Sequence, residues 1–197
     1  DWRTKFKQGN FPFYFVQLAT FNTKGDSNEG CDWCEVRDAQ LNTTKMKNTG
    51  MVVTTDVGNP NDIHPRNKKT VGERLANLAL NNGLKSPIYQ KSTVKGNKIT
   101  ISFNTKEKLV SKNNEILKGF EIAGNDQKFY PAKAEIKKNK IVVTSEKVSN
   151  PVAVRYGWKG DDSEINLFTE KGLPIAPFRT DSFKLSTENK KYQFELK

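Results

Sequence analysis

Apolar residues alternate with polar ones in two different rhythms along this chain. "FYFVQLA" (13–19) is a continuous apolar run between polar flanks, the pattern of a strand buried on both faces of a parallel sheet. After the loop "NTKGDSNEG", residues 32–46 space Trp33, Val36 and Leu41 at loosely helical intervals, and "GMVVTT" (50–55) is a second apolar strand. From Pro65 onward Val71, Leu75, Leu78 and Ala79 recur at three and four residues. That spacing predicts a long helix opening at Pro65 and ending at Gly83.

Beyond Pro87, which marks the expected linker, the rhythm changes. "ITISF", "GFEIAG", "KIVVTS" and "PVAVRYGW" are short β-type segments, and "KGNK" and "KKNK" are hairpin signals between them. The expected architecture is α/β: residues 1–86 form the closing part of a three-layer parallel-sheet domain, and residues 87–197 an antiparallel β-sandwich with a returning tail. Two parallel strands with two helices are too few for a stable doubly wound sheet, so the earlier strands are expected from a segment outside this chain.

Composition changes this picture little. Of 197 residues 35% are hydrophobic and 10% aromatic, enough for a packed core. No apolar run reaches the length of about 18 residues that a membrane helix needs. The net charge of +11 is uneven: residues 1–84 hold 11 Lys/Arg against 9 Asp/Glu, residues 85–197 hold 22 against 13. The surplus falls at turns and alternate strand positions, which reads as a solvated, strand-protecting face rather than a nucleic-acid groove. Cys31 and Cys34 in "CDWC" lack the second pair a zinc site needs; two cysteines packed at a helix start, oxidised if the protein is exported, is the expected reading.

The chain has one histidine, His64, followed by Pro65 and preceded by Asp62 and Asp56 in "TTDVGNPNDIHPRNK". In open α/β sheets chemistry gathers at the carboxyl ends of strands, where this loop falls. Pro65 suits the first helical position, which sets His64 beside the positive end of a helix and favours a neutral ring. A neutral imidazole held by an acid is the base of a nucleophilic site. A metal site from Asp56, Asp62 and His64 lacks a diagnostic spacing.

The blocks "FPFYFVQLA", Trp33 with "VRDAQ", "NTGMVVTTDVGNPNDIHPRNK" and "GLPIAPFRTD" resemble the C-terminal half of the sialate O-acetylesterase family, carbohydrate esterases of the SGNH (GDSL-like) hydrolase superfamily. The match runs across most of the chain, with the histidine block specific and residues 88–170 less so. The resemblance implies hydrolysis of acetyl esters of sugars without a cofactor, in the periplasm or outside the cell. It implies a serine from an upstream part of the protein and a histidine that maps onto His64. The superfamily's usual acid precedes the histidine by three residues, which here is Asn61. Asp62, Asp56 or a backbone carbonyl are therefore the alternatives for orienting His64.

Further residues follow from the same pattern. Gln17, at the end of the first strand, and Arg37 with Gln40, in the family's Arg-x-Ala-Gln arrangement, are the candidate substrate-binding or pocket-ordering side chains. Arg179 is expected to stitch the returning tail to the α/β part. "KGDSNEG" carries Gly25, Asp26 and Ser27, the letters of the superfamily's nucleophile block, yet too few elements separate it from His64. "GNPND" imitates an oxyanion block but abuts His64. The rival function is a non-catalytic carbohydrate- or polyanion-binding β-sandwich module, with Trp158, Tyr156 and Tyr130 as sugar-stacking candidates; aromatic residues in such strands are more often core.

Overall fold

Two short strands, β1 (Phe13–Val16) and β2 (Thr49–Val52), pair in parallel. In the computed structural model, which describes residues 1–190, they are joined by α2 (Asp32–Thr43) and preceded by a one-turn helix, α1 (Trp2–Phe6). The helix α3 (Lys68–Leu80) follows β2 and packs on both strands. It starts three residues later than Pro65, because the Asn67 side chain accepts from the Thr70 amide and so caps the helix. It ends at Asn81 in the left-handed conformation (φ 48°), two residues before Gly83.

The expected two-sided burial of the first strand does not hold. Tyr14 is exposed, while Phe13, Phe15 and Val16 are only partly covered. Among the described residues β1 and β2 have no third partner strand, so the outer edge of each pairs with no other strand.

The remaining strands are β3 (Tyr89–Lys95), β4 (Lys98–Phe103), β5 (Leu109–Ser111), β6 (Phe120–Ala123), β7 (Phe129–Pro131), β8 (Lys133–Lys137), β9 (Lys140–Thr144), β10 (Ala153–Tyr156), β11 (Leu167–Thr169) and β12 (Phe178–Arg179). They form two four-stranded antiparallel sheets, ordered β3-β4-β9-β8 and β12-β10-β6-β7, and the pair β5-β11. The β8–β9 hairpin turns through Lys138 and Asn139, both at positive φ, the backbone that matches strand twist in a two-residue turn.

Alternation explains the core. Ile99, Ile101, Ile141 and Val143 point inward from one sheet and meet Phe120, Ile122, Val154, Tyr156 and Phe178 of the other in one cluster. The strands β6 and β10 are buried at every position, because their second face is covered too. There Arg155 lies over the rings of Phe129 (4.2 Å) and Trp158 (4.7 Å). Trp158 in turn packs on the disulfide Cys31–Cys34. Cys31 Sγ accepts from the Cys34 amide, so the cysteine pair caps α2.

The expected linker at Pro87 is not a free joint. The Pro87 carbonyl accepts from the Ala176 amide, and Ile88 packs with Met51, Val53 and Ala176. Arg179 Nε donates to Asp38 of α2 at 3.2 Å. Glu35 of α2 accepts from both the amides and the hydroxyls of Ser186 and Thr187. The last part of the expected tail, 191–197, lies outside the described residues.

Burial pushes the Glu35 carboxyl up, but the Thr187 and Ser186 hydrogen bonds outweigh it and hold it below its ordinary value of 4.5. A carboxyl whose folded value is depressed stabilises fully above its unfolded value, and the contribution disappears as pH falls through the folded one. The wild-type chain should therefore lose its stability advantage over Glu35→Gln progressively below about pH 4.5. Urea unfolding of both forms between neutral and acidic pH measures this; a constant gap would contradict it.

Candidate active site

Parallel pairing brings the carboxyl ends of β1 and β2 side by side, and hydrogen bonds carry the alignment past the strands. The Gln17 amide donates to the Val52 carbonyl (2.9 Å), and Thr54 Oγ1 to the Gln17 carbonyl (2.8 Å). The Thr20 hydroxyl lies 2.8 Å from the Thr55 carbonyl. The loop after β2 then folds against the segment after β1. Gly58 sits so close to Thr20 that a Cβ there would come within 2.4 Å of the Thr20 amide nitrogen, and the Asn22 amide donates to the Pro60 carbonyl (2.9 Å).

From this anchored loop His64 is presented at the surface. The Asp62 amide donates to the Asn59 carbonyl, and Asp62 Oδ1 accepts from the His64 amide at 2.9 Å, a turn closed by a side chain. The same oxygen stands 3.6 Å from His64 Nδ1, and the ring is 85% exposed. Asp62 therefore faces the nitrogen that an orienting acid must hold, leaving Nε2 free to take a proton. The separation is longer than a hydrogen bond. With the helix cap at Asn67, His64 is not next to the helix start, and the expected dipole effect on the ring loses its geometric basis.

Asp56 points elsewhere. Its carboxylate receives Arg74 Nη1 and Nη2 at 2.7 and 2.6 Å, and Arg74 Nη1 also donates to the Val53 carbonyl. Of the two candidate acids, only Asp62 is paired with His64; Asp56 fastens α3 to the end of β2. Arg74 was open to discovery, since it lies three residues after Val71 and four before Leu78, on the apolar side of the helix.

The residues expected at the substrate are engaged internally. Arg37, 1% exposed, donates to the carbonyls of Leu18 and Ala19 and pairs with Asp162. Gln40 Oε1 accepts from the Leu18 amide at 2.9 Å. Gln17 Nε2 donates to the Arg37 carbonyl, and its Oε1 has no partner among the described residues. All three brace the segment leaving β1, and Gln17 and Arg37 are closed off from solvent. Burial pushes the Asp162 carboxyl above its ordinary value despite the Arg37 guanidinium and Thr20 hydroxyl beside it. Nothing in "KGDDSE" marks Asp162 as buried.

The Gly-Asp-Ser letters serve a turn. Gly25 has φ 102°, and a Cβ there would meet the Gly30 carbonyl at 1.9 Å. Asp26 Oδ1 accepts from the amides of Asn28 and Glu29, and Ser27 Oγ donates to Glu121 Oε2 at 2.5 Å. Burial raises the Glu121 carboxyl, with the Ser27 hydrogen bond pulling the other way. Ser27 thus has a carboxylate partner in place of an imidazole. Two of the sugar-stacking candidates are core: Tyr156 is fully buried, with its hydroxyl accepting from the Leu167 amide, and Trp158 is 2% exposed. Tyr130 is partly buried, with Lys128 and Lys147 over its ring. Among the described residues no group of three or more His, Cys, Asp or Glu is arranged to hold a metal ion.

Comparison with known proteins gives the same direction from two sides. A sialate O-acetylesterase of Mus musculus is 37% identical over a segment covering 38% of this chain and 17% of the mouse protein. The crystal structure of a carbohydrate acetylesterase from Xanthomonas citri superposes with a TM-score of 0.86 at 39% identity, covering 92% of this chain and 44% of that one. This chain thus spans less than half the length of either relative. No family model matches it.

The contrast between the two acids is testable. Asp56→Ala strands the Arg74 guanidinium and should destabilise the fold by about 3 kcal/mol, whereas His64→Ala, at an exposed ring, should stay within about 0.5 kcal/mol of wild type. Denaturant midpoints of the two variants measure the difference; equal midpoints would return Asp56 to the candidate site.

Proposed function

We propose that this chain, a relative of carbohydrate acetylesterases, is the histidine-bearing part of a carbohydrate O-acetylesterase whose nucleophilic serine lies on a segment outside it. The observation that carries the reading is His64 itself: an exposed imidazole at the carboxyl end of a parallel strand, with a carboxylate facing Nδ1.

The reaction follows from that geometry. The serine hydroxyl attacks the acetyl carbonyl of an O-acetylated sialic acid or another acetylated sugar, and His64 Nε2 takes its proton. Asp62 orients the ring and stabilises the imidazolium. His64 then returns the proton to the departing sugar oxygen, leaving an acetyl-serine. Water, deprotonated by the same nitrogen, releases acetate and restores the serine. Backbone amides that hold the oxyanion belong to the segment with the serine.

Two features support a partner segment. The parallel pair has unpaired outer edges among the described residues, and a row of strand amides and carbonyls invites pairing. Near its start Trp2 and Phe6 are 62% and 60% exposed, stacked edge-on to Phe13 and Phe11, an apolar surface of the kind a neighbouring layer covers. In this reading residues 1–86 close a three-layer sheet of the SGNH type and the rest is a β-sandwich bracing it. A periplasmic or extracellular location fits the Cys31–Cys34 disulfide.

In the complete enzyme His64→Ala should lower turnover of an acetylated sugar at least about 100-fold. Asp62→Ala should lower it less and Asp56→Ala should act through stability. Acetate release by titration measures all three, and near-normal release from His64→Ala would remove it from the mechanism.

A further inference from the structure

The positive surplus of the second part of the chain gathers on one sheet face. In β3-β4-β9-β8 the residues Ile99, Ile101, Ile141, Val143 and Ala134 point into the core, so the intervening positions face solvent. The strand register sorts those positions into three rungs across the sheet. Continued by one pair at each end of β4–β9, it puts Lys91, Lys140 and Lys137 on one outer rung and Lys95, Lys98 and Lys133 on the other. The middle rung is Thr93, Thr100, Val142 and Glu135.

All six lysines are exposed. Glu135 is the one acid on the rungs, taking Lys133 at 2.8 Å and Lys137 at 2.6 Å; the other four lysines form no ion pair among the described residues. Lysines that only guard strand edges belong on outer strands, yet Lys98 and Lys140 sit on the two central ones. Four strands and three rungs span roughly 14 Å by 13 Å, so neighbouring ammonium groups fall within about one Debye length and act together. A cleft of about 620 Å³ crosses the β8–β9 side, walled by four lysines, Lys98, Lys133, Lys137 and Lys147, against two acids, Glu135 and Glu146.

The chemistry of the face selects among polyanions. It offers no arginine fork to grip a phosphate diester and no aromatic ring on which a base could stack. Val142 is its one apolar side chain, too little to enter a bilayer. What it offers is two rows of point charges, with Ser102 and Thr144 among them, flanking the central hydroxyls of Thr93 and Thr100. That combination matches a chain of sugars bearing carboxylates or sulfates, whose charges meet the lysines and whose hydroxyls exchange hydrogen bonds with the centre.

We infer that the outer face of β3-β4-β9-β8 is a binding surface for acidic polysaccharide, holding an acidic, acetylated polymer while its esters are cleaved. The substrate side of this inference rests on the acetylesterase reading; the surface itself does not.

The test uses this chain and immobilised heparin as the acidic glycan. Lys98→Gln/Lys133→Gln/Lys140→Gln is compared with a control of equal net charge, Lys5→Gln/Lys7→Gln/Lys47→Gln, both checked for wild-type melting. The sheet variant should lose roughly tenfold in heparin affinity at low salt, and the control should stay within about twofold of wild type. Equal losses in the two variants, no heparin binding by the wild type, or tighter binding to DNA or to phosphatidylserine vesicles than to heparin would each overturn the inference. Acetate release from a small neutral ester by the complete enzyme is read alongside. Its absence, with heparin discrimination intact, sinks the esterase reading alone.

Discussion

The buried pair of Arg37 and Asp162 holds the two parts of the chain in one arrangement. Arg37 comes from α2 and Asp162 from the loop after β10, 125 positions on, and both side chains are 1% exposed. Two charges removed from water are tolerable only when geometry and extra hydrogen bonds compensate. Here the carbonyls of Leu18 and Ala19 accept from Nε and Nη2 of Arg37, and Thr20 lies 2.6 Å from Asp162. Loss of either partner leaves an uncompensated buried charge, a cost of about 3–5 kcal/mol. The same pair therefore fixes the path of residues 18–20, against which the loop bearing His64 is packed.

The surroundings of His64 are opposite in kind. Only its loop is anchored, through Gly58 and Pro60; the ring stands in solvent with one carboxylate beside it. In the proposed reading, a rigid base under an open side chain suits half a catalytic site, whose imidazole would reach a hydroxyl supplied from elsewhere. Rigid support at the strand ends and exposure at the ring thus belong to one design. The lysine face would extend it as proposed, since polymer binding by weak, distributed charges would leave the chemistry to the loop.

Much of this was legible from the residues. Strands β1, β2, β4, β6, β9 and β10, both long helices and the β3–β4 and β8–β9 hairpins follow from apolar periodicity and turn chemistry, whereas β5, β7, β11 and β12 carry no such signal. His64 is singled out by its loop and its family resemblance. The errors were of a particular kind. Pro65 and Gly83 suggested helix ends, but Asn67 and Asn81 supply the hydrogen bond and the left-handed backbone that terminate α3. Gln17 follows β1, and Arg37 and Gln40 lie three apart on α2; pattern alone does not tell a side chain that meets substrate from one that satisfies buried carbonyls. Asp162 owes its burial to a contact across 125 positions, which no local pattern encodes, whereas Arg74 stands on the apolar side of α3, where helical periodicity marks it. Likewise, that six scattered lysines share one face depends on strand register, which only the folded chain defines.

The central claim is that the attacking hydroxyl comes from outside these residues. Labelling the complete enzyme with a fluorophosphonate and mapping the modified peptide tests it most directly. The account predicts a modified serine on a segment other than this chain, with labelling slowed in His64→Ala. A label on Ser27, or on any other serine of this chain, would contradict it.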